Sequence, residues 1–128
     1  PATAAARWNA EANRSHNIEL ARLSAEEMTV AMTGERPFRR LADLKQSLTD
    51  YQFDTLLVDP PRAGLDAATL GLASSFKRVL YISCNPETLS DNLATLSSTH
   101  SIEGLAFFDQ FPYTDHLESG VVLSKKTA

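Results

Sequence analysis

Cysteine, glycine and long apolar runs are all scarce in this 128-residue chain. Cys84 is the single cysteine. No intramolecular disulfide and no multi-cysteine metal site can form from it, which fits a reducing cytosol. The five glycines make no Gly-x-Gly-x-x-Gly loop, the arrangement that lets a backbone close on a phosphate. No apolar run approaches the ~20 residues that span a bilayer, and no basic segment followed by an apolar one marks a secretion signal. Positive charge is also short. Twelve Lys and Arg stand against sixteen Asp and Glu, a net charge of −4. Phosphate contacts need Lys and Arg, so any grip on a nucleic acid must come largely from elsewhere. The first residue is Pro1 rather than Met, which reads as a processed or excised start.

What is present is an ordinary folding composition. Hydrophobic residues make up 43% and charged residues 22% of the chain, too apolar for a disordered segment and enough for one domain. Residues 3–14, Ala-rich around Trp8, predict a helix that ends at Ser15-His16-Asn17. Ile18 to Leu23 alternates apolar and polar residues as a short strand does. Ser24 followed by Glu27 is a capping box that opens a helix through about Met32, and Gly34 stops it. Glu35 to Asp50 is polar and contains Pro37; it predicts a loop with a short helix around Leu41 to Leu48.

The second half is more sharply punctuated. Phe53 to Val58 predicts a strand stopped by Asp59-Pro60-Pro61. Asp66 caps a helix to about Ser75, and Arg78 to Ser83 is the next strand. Asn85 caps a helix with Pro86 at its first position, and Leu89, Leu93 and Leu96 line one of its faces. Ile102 to Phe108 and Gly120 to Ser124 are the last strands. Strands that alternate with helices imply an α/β layer architecture with a largely parallel sheet. Central strands that are apolar throughout imply cover on both faces.

Ligands of open α/β sheets bind at the carboxyl ends of the strands. Asp59-Pro60-Pro61-Arg62 follows one strand, Ser83-Cys84-Asn85-Pro86 the next, and Phe111 to Glu118 precedes the last. If the last strand runs antiparallel, its beginning lies at the same edge, and Asp59, Cys84 and Glu118 converge. Each cluster also has a plain structural reading. Asp59 can cap a turn, Asn85-Pro86 can merely start a helix, and His116 and Glu118 can be a solvated edge. A lone Cys84 can be a small buried hydrophobe. Its place before a helix N-terminus, however, is one where free N–H groups and the helix dipole favour a thiolate.

The segments Asp59-Pro60-Pro61-Arg62-Ala63-Gly64-Leu65-Asp66, Tyr81-Ile82-Ser83-Cys84-Asn85-Pro86-Glu87-Thr88-Leu89, and Phe108 to Thr114 with His116-Leu117-Glu118 resemble the RNA uracil-5-methyltransferase family. The resemblance is closest to its bacterial tRNA branch and runs nearly the length of the chain. It implies Cys84 as nucleophile, Glu118 as general base and Asp59 as an acidic residue at the methyl-donor site. It implies S-adenosylmethionine as cofactor, transfer RNA as partner, no metal and a cytoplasmic location. Ser119 departs from a cysteine found in a close relative.

The implied fold is a partial Rossmann-like class I methyltransferase domain, a mostly parallel sheet with an antiparallel last strand and its first strands missing. Residues 1–128 then correspond to the carboxy-terminal part of the catalytic domain. The missing first strand would lie between Ile18 to Leu23 and Phe53 to Val58. The cofactor's glycine loop and ribose-holding acid, with the RNA-binding domain, would lie outside the chain. On that reading the isolated chain is inactive, binds the methyl donor poorly and exposes an apolar strand edge that favours self-association. The alternatives are a ribosomal-RNA uracil-5-methyltransferase and a non-catalytic α/β binding module.

Overall fold

A computed structural model describes residues 2–127, and the chain divides after Gln52 into two compact units. The first unit contains helix α1 (Ala2–Ala12) and helix α2 (Ala25–Thr33). Beyond α1, Arg14 takes a left-handed backbone with φ 54°, and the Ser15 N–H bonds the Ala10 carbonyl at 2.8 Å. The capping box forms as expected on α2. The Ser24 hydroxyl accepts the Glu27 N–H at 3.1 Å, and the Glu27 carboxylate accepts the Ser24 N–H at 2.9 Å. That N–H bond, with nearby Arg40, holds the Glu27 carboxyl below its ordinary pKa. Gly34 ends the helix at φ 74°, where only glycine sits without strain.

Two expectations fail in this unit. Ile18 to Leu23 is not a strand. Its polar groups are taken by the following segment instead of a ladder: Glu19 accepts the Lys45 N–H at 2.9 Å, and the Arg22 carbonyl accepts from Arg40 at 3.0 Å. Alternation of side chains cannot make a strand where no second strand pairs with it. The helix around Leu41 to Leu48 is likewise absent. Two 3₁₀ turns, Arg39–Leu41 and Leu48–Asp50, bracket an irregular stretch, and the Lys45 N–H is spent on Glu19.

The second unit carries the sheet. Its elements are β1 (Thr55–Val58), α3 (Ala67–Ser75), β2 (Arg78–Ser83), α4 (Pro86–Leu96), β3 (His100–Phe108) and β4 (Glu118–Lys125). The strand order is β1-β2-β4-β3. β1 and β2 pair in parallel, and β4 runs antiparallel to both β2 and β3. Three strands therefore point one way and only the last is reversed, as the fold expectation had it. β3 and β4 each begin two residues earlier than their apolar runs suggested. Asp66 caps α3, its carboxylate accepting the Thr69 N–H at 2.8 Å, and that bond holds the carboxyl below its ordinary pKa.

The core lies on one face of this sheet. Val79, Tyr81, Val121 and Leu123 are buried with Leu70, Ala73 and Phe76 and with Leu89 and Leu96 of α4. No element of this unit covers the other face, so the expectation of cover on both sides is not met within it. Leu57 is 64% and Phe108 48% exposed. A Cβ on Gly120 would meet Phe108 at 3.4 Å and Ile82 at 3.8 Å, so these three share the open face. Apolar strand composition reports what a face is suited to bury, not what covers it.

Among the described residues, the buried Ser119 hydroxyl has no hydrogen-bond partner. An unmet buried hydroxyl is destabilising, so Ser119→Ala should stabilise the chain by about 1 kcal/mol, read as a higher urea midpoint. A lower midpoint would show that the hydroxyl is satisfied.

Candidate active site

The pairing of β2 with β4 brings two of the residues singled out in the sequence to adjacent strand ends. Ser83 pairs with Ser119. Cys84 is the next residue after Ser83, and Glu118 the one before Ser119, so the two residues fall opposite one another in register at adjacent strand ends. Both are half-buried. Glu118 also pairs with Phe108 on β3. Asp59 follows Val58, which pairs with Tyr81. It therefore sits at the same edge, one strand over, exposed and without a hydrogen bond or ion pair among the described residues. All three residues singled out in the sequence thus stand at the carboxyl edge of β1 and β2.

The turn that presents Cys84 is built from its neighbours. The Ser83 hydroxyl donates to the Asn85 carbonyl at 2.9 Å and accepts the Asn85 N–H at 3.1 Å. Asn85 caps α4 by accepting the Glu87 N–H at 3.1 Å, and Pro86 supplies the fixed φ of a first helical residue. Cys84 is thereby the residue immediately before the N-cap of α4.

The Asp59–Asp66 loop is pinned to the same helix. The Arg62 carbonyl accepts from the Asn85 amide at 3.1 Å and from the Thr88 hydroxyl at 3.0 Å. Further along, the buried Asn92 carboxamide accepts the Leu65 N–H at 2.8 Å and the Tyr81 hydroxyl at 2.7 Å, and donates to the Leu65 carbonyl at 3.3 Å. Gly64 (φ 77°) lies so close that a Cβ would meet the Asn92 oxygen at 2.8 Å. Burial pushes the Tyr81 phenol above its ordinary pKa, and charge on Cys84 adds to the push.

A third segment joins through Arg62, whose guanidinium bonds His116 Nδ1 at 2.8 Å. Arginine only donates, so His116 Nδ1 carries no proton in this contact. The His116 ring also meets Phe111 edge-on, with centroids 6.1 Å apart. Within this segment the Phe111 carbonyl accepts the Thr114 N–H at 3.2 Å and the Thr114 hydroxyl at 2.6 Å. Pro112 and Tyr113 occupy the central positions of that turn, and Tyr113 has φ 66°. Glycine normally fills such a position, and a side chain there costs roughly 1–2 kcal/mol.

Asn92 and Tyr81 were missed in the sequence. The signal was present: Asn92 falls between Leu89 and Leu96 on the apolar face of α4, and it is buried while Leu93 is only half-buried. A carboxamide on such a face must have partners. Arg62 and His116 were each visible within their clusters, but nothing in the spacing joined them.

The fold so assembled is part of a Rossmann-like class I methyltransferase fold, and a solved structure agrees. The Pyrococcus abyssi tRNA (uracil-54, C5)-methyltransferase, in complex with S-adenosyl-L-homocysteine, is 38% identical. The match covers 56% of this chain and 18% of that one, with a TM-score of 0.51. The model of the tRNA (uracil-5-)-methyltransferase family matches residues 1–126, and the chain belongs to that family. A tRNA/tmRNA (uracil-C(5))-methyltransferase of Neisseria meningitidis serogroup C is 62% identical over 95% of the chain. One of Acinetobacter baylyi is 60% identical over 93%. The chain spans 33% of the length of each of these curated relatives.

Asn92→Ala would strand the Tyr81 hydroxyl and the Leu65 amide. A loss of about 2–3 kcal/mol is expected from two unmet buried groups. Urea unfolding measures it, and hydrogen exchange at the Leu65 amide should speed up in parallel. Unchanged exchange would show that the loop is held by other contacts.

Proposed function

We propose that this chain is the carboxy-terminal part of the catalytic domain of an enzyme that methylates carbon 5 of a uridine in transfer RNA, in the T-loop. The observation that carries the reading is the β2–β4 register, which sets Cys84 against Glu118 at one sheet edge. Family membership supplies the substrate class. A ribosomal-RNA substrate is the less favoured alternative, because the similar proteins are named for transfer RNA. A non-catalytic binding module is disfavoured because it has no need of a thiol opposed to a carboxylate.

The residue types follow from the chemistry. Carbon 5 of uracil is a weak nucleophile. The Cys84 thiolate adds to carbon 6, and the electron pair displaced from the ring double bond is held as an enolate. Carbon 5 then takes up the methyl group. Glu118 removes the remaining proton from carbon 5, the ring double bond re-forms, and the Cys84 thiolate leaves from carbon 6.

S-adenosylmethionine is the proposed methyl source; its sulfonium supplies an electrophilic methyl group. The donor set fits it in one respect. Asp59 offers an exposed, unpaired carboxylate at the strand edge, suited to a cationic ligand. Among the described residues no group of His, Cys, Asp and Glu could hold a metal ion, and the mechanism calls for none. No helix of the described chain is long and apolar enough to cross a membrane, and a cytoplasmic location is proposed with the transfer-RNA substrate. β1 is an edge strand with Leu57 exposed, and self-association of the isolated chain through that edge belongs to the same proposal.

The test uses the enzyme at its full length. Cys84→Ala should lower methylation by about a thousandfold or more and abolish the covalent complex with 5-fluorouridine RNA. Methylation at the native rate would remove Cys84 from the nucleophile role. Glu118→Gln should transfer the methyl group and then stall, because an amide cannot take the carbon 5 proton. Protein covalently joined to methylated RNA should accumulate on a denaturing gel. Rapid turnover without that adduct would rule out Glu118 as the base.

A further inference from the structure

One aromatic side chain near the site is both strained and fully exposed. Tyr113 occupies the third position of the Phe111–Thr114 turn with φ 66°, after Pro112, where glycine would be free of strain. Among the described residues, the other non-glycine residue with positive φ, Arg14, follows the end of a helix, a common place for it. Tyr113 has no such local excuse. Its exposure is 106%, so burial of the ring gains nothing within the described chain. Strain that packing does not repay points to a use elsewhere.

The surroundings define that use. The turn is rigid, because Thr114 bonds the Phe111 carbonyl through both its N–H and its hydroxyl, and the His116 N–H returns to that hydroxyl at 3.2 Å. It is tied to the Asp59–Asp66 loop by the Arg62–His116 bond. It ends at Glu118, the first residue of β4. Phe111 adds a second, half-exposed ring. Asp109 and Asp115 flank the turn, which repels a phosphate or an acidic peptide but not the neutral face of a base. Aromatic rings held rigid on a non-basic surface suit base stacking, which is indifferent to charge.

We propose that the Phe111–His116 turn is a nucleobase-binding platform, on which Tyr113 stacks against an RNA base adjacent to the target uridine. The proposal rests on the RNA-methylating function given above. The strained backbone aims the ring out of the turn, and Arg62, through His116, fixes the platform relative to the loop that carries Asp59.

Three substitutions separate stacking from structure. An unmodified tRNA transcript carrying a fluorophore is titrated with the full-length enzyme, and anisotropy gives the affinity. Tyr113→Ala should weaken binding roughly tenfold or more, the usual effect of losing one base stack. Tyr113→Phe should bind as the native chain does, because the ring is kept. Tyr113→Gly should lose the same affinity as Tyr113→Ala while melting at a higher temperature, because glycine relieves the strain. Native affinity in the alanine and glycine variants would overturn the platform, as would equal losses in the phenylalanine and alanine variants. The methyl-transfer reading is decided separately, by the Cys84 and Glu118 assays, neither of which involves Tyr113.

Discussion

The antiparallel ladder between β2 and β4 is the constraint on which the site depends. Side chains alternate across a sheet, so a slip of one residue would turn every side chain of β4 to the opposite face. Val121 and Leu123 would leave the core, and Glu118 would no longer stand across from Cys84. Burial of Val79, Tyr81, Val121 and Leu123 on one face therefore fixes the chemistry as well as the fold. The hydrophobic effect sets the register, and the register sets which residue of β4 stands opposite Cys84. Ser83 and Ser119, the last pair of that ladder, are small and buried, which lets the strands end side by side at the reactive edge.

Around this ladder, loops are held by side-chain amides rather than by further strands. Asn92 fills its oxygen and one N–H with Tyr81 and Leu65, and Asn85 serves α4 and the Arg62 carbonyl at once. A buried carboxamide with its bonds made is directional in a way that apolar packing is not. Gly64 completes the arrangement, because any side chain there would collide with Asn92. The loop bearing Asp59 consequently follows the position of α4, and so does the turn bearing Cys84.

Much of the second unit could be read from the sequence because its signals are local. Asp66, Asn85 and Pro86 mark helix starts by capping chemistry that needs no distant partner. Pro60-Pro61 ends β1 for the same kind of reason. The site was legible as three clusters, and the reversed β4 joins them at one edge. Ile18 to Leu23 was misread because a strand is defined by its neighbour, and alternation says nothing of whether one is there. The bare face of the sheet escaped for a related reason, since Leu57 and Ile82 look equally apolar covered or uncovered. The contacts through Asn92 and between Arg62 and His116 span 27 and 54 residues. No periodicity reports contacts at that range.

The irregularity in β3 has a bearing on how the chain tolerates change. Nine residues of β3 lie against eight of β4, and the ladder skips Glu103 between Ile102 and Gly104. His100 still meets Lys125 at one end and Phe108 still meets Glu118 at the other. The bulge acts as slack in the chain, taken up far from the reactive edge. Loss of a residue at Glu103 would regularise the ladder and leave the Phe108–Glu118 pair where it is. The stretch from α4 to Glu118 can thus vary in length by one residue without moving that carboxylate, a freedom that the tight turn at Cys84 does not share.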